Sequence, residues 1–179
     1  MEDSVSAPQK RAGFQIKSNR LYALIPYLIS FLLGFSIAGY QFSLSDISRE
    51  FGMGNSGMGI IATARATGMI LLPLLVSFFA DKLPKKRIAQ IFGWMYVAFS
   101  LLMGLGGRNF YIVLLSVFFI YSCSTTLYAS LVIILAETAP QKTNQFSNIL
   151  GLVNGLASMI YPIILGALMS RGMSWRGHY

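Results

Sequence analysis

Five long apolar blocks dominate the pattern of hydrophobic and polar positions, and none of them shows the alternation of an amphipathic helix or strand. About 20 residues of helix cross a hydrocarbon core about 30 Å thick, and each block reaches about that length. The predicted membrane spans lie at residues 21–44, 58–80, 88–106, 110–136 and 146–170. The pattern therefore predicts an all-α, polytopic membrane helix bundle over 21–170, with a polar tail at 1–20 and a short tail at 171–179.

The composition favours lipid rather than water as the solvent of this chain. Of the 179 residues, 55% are hydrophobic and 11% are charged, whereas soluble domains carry charges on about a quarter of their residues. The first block is too long for the apolar core of a signal peptide, so we interpret it as a retained helix. The chain has one cysteine, Cys123, so a disulfide framework within it is excluded.

Lys and Arg residues are distributed unequally between the two sets of alternate connections. Nine lie on one set, namely Lys10, Arg11, Lys17, Arg20, Lys82, Lys85, Lys86, Arg87 and Lys142, and four on the other, namely Arg49, Arg108, Arg171 and Arg176. The positive-inside rule then predicts a multi-pass protein of the cell inner (plasma) membrane with a cytoplasmic amino terminus and an extracytoplasmic tail at 171–179. Cations at the ends of apolar blocks form no stripe that would follow phosphates, so no nucleic-acid partner is expected.

The loop after the second block reads ADKLPKKR at residues 80–87. It resembles motif A of the major facilitator superfamily, whose pattern is Gly-x-Leu-Ala-Asp-Arg-x-Gly-Arg-Arg/Lys. The positions that fit are Ala80, Asp81, Lys82, Lys85 and Lys86, and those that depart are Ser77, Phe79 and Pro84. AETAPQK at 136–142 resembles the segment that closes the family's fourth helix, and SWRGHY at 174–179 resembles its approach to a sixth.

The resemblance implies a transporter of twelve helices in two halves, which rock around a solute site near the middle of the membrane. This chain would then be an incomplete amino-terminal portion whose partner is the missing carboxyl-terminal half. The implied cytoplasmic gate motif comprises Asp81, Lys82, Lys85 and Lys86, with Asp81 facing the positive end of a helix from the other half. The residues themselves leave a simpler alternative open, in which Asp81 pairs with Lys85 or caps the next helix.

Arg65 is the only charged residue within a predicted span. An Arg near the middle of a membrane costs about 2.5–3.5 kcal/mol on insertion scales, so it usually faces a wet cavity, a partner or an anionic ligand. We therefore predict that Arg65 binds a small solute that is anionic or polar. The alternative is that its long side chain reaches the outer headgroups. No Asp or Glu lies in any span, so its counter-charge must come from elsewhere.

Polar side chains in the fourth and fifth blocks are further candidates for solute binding. Tyr121 shares a helix face with Thr125 and Tyr128, and Asn154 shares one with Ser158. We predict that Tyr121 and Asn154 form hydrogen bonds with the solute, while single Ser and Thr hydroxyls more often satisfy their own helix backbone or join neighbouring helices.

Two further features of the blocks favour structural roles. The GxxxG pair of Gly151 and Gly155 predicts close packing between helices. Tyr40 is predicted to sit in the interfacial aromatic belt, with the lining of a cavity mouth as the alternative.

The sequence lacks the signatures of an enzyme. It contains no phosphate-binding loop, no cluster of metal ligands and no nucleophile with a base, so neither catalysis, nor a metal, nor a cofactor is expected. The predicted function is transport of a small solute by alternating access. The alternative is a non-transporting membrane scaffold, or a regulatory half-transporter, that binds another membrane protein.

Overall fold

The computed structural model describes residues 20–79, 84–138 and 140–179. Within them the chain forms five long α-helices and no strand. The helices are α1 (Arg20–Glu50), α2 (Gly54–Phe79), α3 (Lys85–Gly106), α4 (Phe110–Thr138) and α5 (Thr143–Met169). Short 3-10 helices at Pro140–Lys142 and Trp175–His178 follow α4 and α5. All five α-helices are long and apolar enough to span a membrane, so the predicted all-α membrane bundle is confirmed.

The helix ends differ from the predicted spans where polar residues continue a helix. The main case is α1, which runs to Glu50 rather than to residue 44. Polar side chains there do not interrupt the backbone hydrogen bonds of the helix. The helix ends just before Gly52, which adopts the left-handed conformation with φ of 66°. Only glycine adopts that conformation without steric cost, so Gly52 fixes the tight turn into α2.

The helices pack in three extensive pairs, α3 with α4, α1 with α5 and α2 with α4. In the last two pairs a glycine permits the close approach, because a Cβ on Gly34 would overlap the backbone oxygen of Asn154, and one on Gly68 would overlap that of Phe118.

The buried core lies mainly between α1 and α4. Its members are Tyr40, Ile47, Ile61, Met103, Val113, Val117, Ile120, Tyr121 and Trp175. The apolar side chains of α2, α3 and α5 point largely outward, which suits contact with lipid tails. We refer to the end of the bundle that carries the turn after α1, the α3–α4 turn and the Trp175 helix as the Glu50 end, and to the opposite end as the Lys85 end.

Candidate functional site

Arg65 lies in the middle of α2 and points into the bundle against two tyrosine rings. Its guanidinium carbon is 4.9 Å from the centre of the Tyr40 ring on α1 and 4.7 Å from that of Tyr121 on α4. Both tyrosines are 1% exposed, whereas Arg65 is partly exposed. Cations are attracted to the faces of aromatic rings, and more strongly where water is excluded. The three side chains therefore form one cluster, which we call the Arg65 cluster.

Neighbouring contacts hold the two rings in place. The Tyr121 hydroxyl donates a hydrogen bond to the Ser36 carbonyl on α1, at 3.0 Å. The two rings meet edge to face, with centroids 5.1 Å apart, which is a favourable arrangement for aromatic pairs.

A further hydrogen bond fixes the helix that carries Arg65. The Ser122 hydroxyl, next to Tyr121, donates to the Gly68 carbonyl on α2 at 2.7 Å. This bond joins α4 to α2 within one turn of Arg65, so the position of the guanidinium is set by three helices together.

The charge of Arg65 has no carboxylate partner among the described residues. The two ion pairs found there, Lys85 with Glu137 and Arg176 with Glu50, lie at opposite ends of the bundle. The Arg65 Nε is buried and has no hydrogen-bond partner in the described part of the chain. Buried polar groups are normally hydrogen-bonded, and the described side chains leave this N–H available as a donor. The cluster is thus a cationic position inside an apolar bundle.

The structure brings Tyr121 to Arg65 but places Asn154 elsewhere. The Asn154 amide donates to the Ser30 carbonyl at 2.9 Å, and the Ser158 hydroxyl donates to the Gly34 carbonyl at 3.0 Å. Both bonds join α5 to α1. The Ser30 carbonyl that accepts from Asn154 and the Ser36 carbonyl that accepts from Tyr121 lie six residues apart on α1, about 9 Å along the helix, so the Asn154 amide is bonded away from the Arg65 cluster.

Tyr40 is the member of the cluster that the sequence pattern does not identify. Its assignment to the interfacial belt is wrong, because the side chain is buried among α1, α2 and α4. The misplaced end of α1 explains the error, since a helix that continues to Glu50 carries Tyr40 well inside the span. The prediction that Ser and Thr hydroxyls satisfy their own helix backbone is confirmed for two residues of α4. The Thr125 hydroxyl donates to the Tyr121 carbonyl, and the Thr126 hydroxyl donates to the Ser122 carbonyl.

The gate motif is described only in part. Asp81 and Lys82 lie outside the described residues. Lys85 opens α3 and forms an ion pair with Glu137 at the end of α4, while Lys86 lies exposed in the same turn as Lys85. The described half of the motif therefore joins α3 to α4 at the Lys85 end.

Comparison of the sequence with known proteins identifies the family of the chain. Probable sugar efflux transporters from three strains of Helicobacter pylori are each 31% identical to this chain over 140 residues, which cover 76% of it and 34% of each relative. The chain thus spans about a third of the length of the curated relatives it matches. No solved structure matches the chain significantly. The sequence profile of the Major Facilitator Superfamily matches residues 27–179, and the chain belongs to that family of membrane transporters.

Proposed function

We propose that this chain acts in a secondary transporter that moves a small polar solute across a cell membrane by alternating access. The family match and the five membrane-spanning helices support solute transport in general. In such transporters a solute binds near the midplane between two bundles that rock around it. The proposal includes a carboxyl-terminal half, supplied by the same gene or another, and a cytoplasmic amino terminus.

The observation that carries the proposal is the Arg65 cluster. A guanidinium held near the middle of a membrane helix, with no carboxylate partner in the described residues, has a solvation cost that a polar ligand can offset. We assign solute binding to Arg65, with Tyr40 and Tyr121 at its sides. Because the Asn154 amide is bonded to α1, we assign Asn154 to the α1–α5 contact rather than to the solute.

The Lys85 end supplies the proposed cytoplasmic gate. The ion pair of Lys85 with Glu137 joins the first turn of α3 to the last turn of α4. We propose that the gate motif of Asp81, Lys82, Lys85 and Lys86 makes and breaks contacts with the other half as the transporter changes state.

Sugars are the first solutes to test, because the printed names of the relatives refer to sugar efflux. Purified complete gene product is reconstituted in proteoliposomes, and uptake from a pooled set of radiolabelled metabolites, sugars included, is measured. We expect Arg65→Ala to reduce uptake of the transported solute at least about tenfold, the loss of one charge-assisted contact. Arg65→Lys should retain part of it, because it keeps the charge without the planar donors.

Arg171→Ala is the matched control, since Arg171 is exposed in the turn after α5, and uptake should stay unchanged. Equal uptake by the wild type and Arg65→Ala would remove Arg65 from the proposal. Absence of uptake for every solute in the pool would count against the transport function itself.

A further inference from the structure

We infer that Tyr40 and Tyr121 position the Arg65 guanidinium as a receptor for a carboxylate or phosphate group, which makes the solute site selective for anions. This inference rests on the proposed function and adds the substrate class. It also gives Tyr121 a different role from that of a direct solute ligand, because its hydroxyl is already bonded to the Ser36 carbonyl.

The two rings together restrict the position of the guanidinium. Its central carbon lies within 5 Å of both ring centres, and both rings are almost fully buried. The Tyr121 ring is held by its hydrogen bond to α1, and the Tyr40 ring by its edge-to-face contact with Tyr121. A long flexible side chain is thereby given one position before any ligand arrives, which reduces the entropy lost on binding.

The unbalanced charge selects the ligand. Aromatic rings attract the guanidinium but do not neutralise it, and no carboxylate among the described residues pairs with it. A guanidinium offers parallel N–H donors that match the oxygens of a carboxylate or phosphate. An anion would both neutralise the charge and use those donors, whereas a neutral sugar would leave the charge unbalanced in an apolar surrounding. A cationic solute would be repelled.

Three probes with one carbon skeleton test the charge preference directly. Binding of glucose, gluconate and glucose 6-phosphate to the purified complete gene product in detergent is measured by titration calorimetry. We expect at least one of the two anions to bind about tenfold or more tightly than glucose, because it adds a charge-assisted pair of hydrogen bonds. This preference, rather than the absolute affinity, is the quantity of interest, since a general loss of folding does not change it.

Variants of the rings separate positioning from simple packing. Tyr40→Leu and Tyr121→Leu should each reduce the anion preference about tenfold, because the guanidinium loses one of its two restraints. Tyr40→Phe keeps the ring and should retain the preference. Tyr128→Leu is the matched control, since Tyr128 lies two turns from Tyr121 on α4, away from Arg65, with its hydroxyl near Gly151.

The possible results separate this inference from the proposed function. Binding or transport of glucose without any preference for the anions would overturn the inference and leave transport intact. A preference that survives in Arg65→Ala would overturn it too, because the selecting charge would then lie elsewhere. Failure of both anions to bind also overturns it, whereas failure of uptake for every solute counts against the transport proposal.

Discussion

At the scale of single residues, Arg176 joins three parts of the fold at the Glu50 end. Its guanidinium forms an ion pair with Glu50 of α1, donates to the Gly107 carbonyl at 2.9 Å and stacks on the Trp175 ring at 4.5 Å. Trp175 is 4% exposed, and its indole N–H donates to the same Glu50 carboxylate at 2.7 Å. One carboxylate thus accepts from two neighbouring side chains, which fastens the segment after α5 to α1 and to the α3–α4 turn.

Glu50→Gln removes the negative charge at this position while keeping the shape of the side chain. We expect the free energy of unfolding to fall by about 1 kcal/mol, because the ion pair with Arg176 is lost and the single amide oxygen replaces two oxygens that accept separately from Arg176 and Trp175. Unfolding in mixed micelles of mild detergent and dodecyl sulfate, followed by circular dichroism, measures the change. Asp46→Asn on the same helix is the control, since Asp46 has no ion pair among the described residues, and equal losses in the two variants would contradict the assignment.

The candidate site could be predicted from the sequence in part, and the reason differs from residue to residue. Arg65 stands out because a charge within an apolar block is costly whatever its neighbours are. Tyr121 and Asn154 also stand out as polar groups within apolar blocks. Their hydrogen-bond partners, however, depend on which helix faces them, and the Asn154 amide faces the Ser30 carbonyl. Tyr40 was missed because an aromatic residue near the end of a block has an ordinary interpretation in the interfacial belt.

At the scale of whole helices, the close contacts depend on glycines that the sequence pattern did not single out. The GxxxG pair in α5 predicts close packing, but the described helices do not provide it: none of their atoms would lie within 4 Å of a Cβ on Gly155, and Gly151 has only the Tyr128 hydroxyl near it, at 3.8 Å. The α5 face that meets α1 carries Asn154 and Ser158 instead. Spacing shows which residues share a face, but not which face a neighbour covers.

Gly34→Ala tests the close contact between α1 and α5. The added Cβ would overlap the Asn154 backbone oxygen, and a backbone atom cannot turn aside as a side chain can. We therefore expect the free energy of unfolding to fall by about 1–3 kcal/mol, the usual cost of overpacking. The same micelle unfolding experiment measures it.

Gly155→Ala provides the matched control on the facing helix. Open space surrounds Gly155 among the described residues, and alanine favours helix by up to about 1 kcal/mol over glycine. This variant should be as stable as the wild type or slightly more so. The tight α1–α5 contact would be disproved if both substitutions changed stability by the same amount.

At the scale of the whole molecule, the number of spans was predictable while their packing was not. Each apolar block became one helix, because an unbroken apolar run in lipid must satisfy its backbone bonds internally. The close pairing of α1 with α5 and of α2 with α4 depends on the absence of a Cβ at Gly34 and Gly68. The lengths of the apolar blocks do not reveal this. The helix packing leaves the orientation in the membrane open, and the charge bias of the connections predicts it.

The orientation of the bundle in the membrane can be predicted from the charges of its connections. Nine Lys and Arg residues lie on one set of connections and four on the other. This difference should hold the Lys85 end in the cytoplasm. Asn109→Cys and Gln141→Cys place thiols in exposed turns at opposite ends of the bundle, and a membrane-impermeant maleimide reports which side each faces. In intact cells Asn109→Cys should react and Gln141→Cys should not, with the reverse in inverted vesicles. Cys123 is fully buried and serves as the internal control, reacting only after denaturation. Labelling of Gln141→Cys in intact cells would invert the topology and move the proposed gate to the outer surface, whereas Arg65 would remain near the middle of its helix in either orientation.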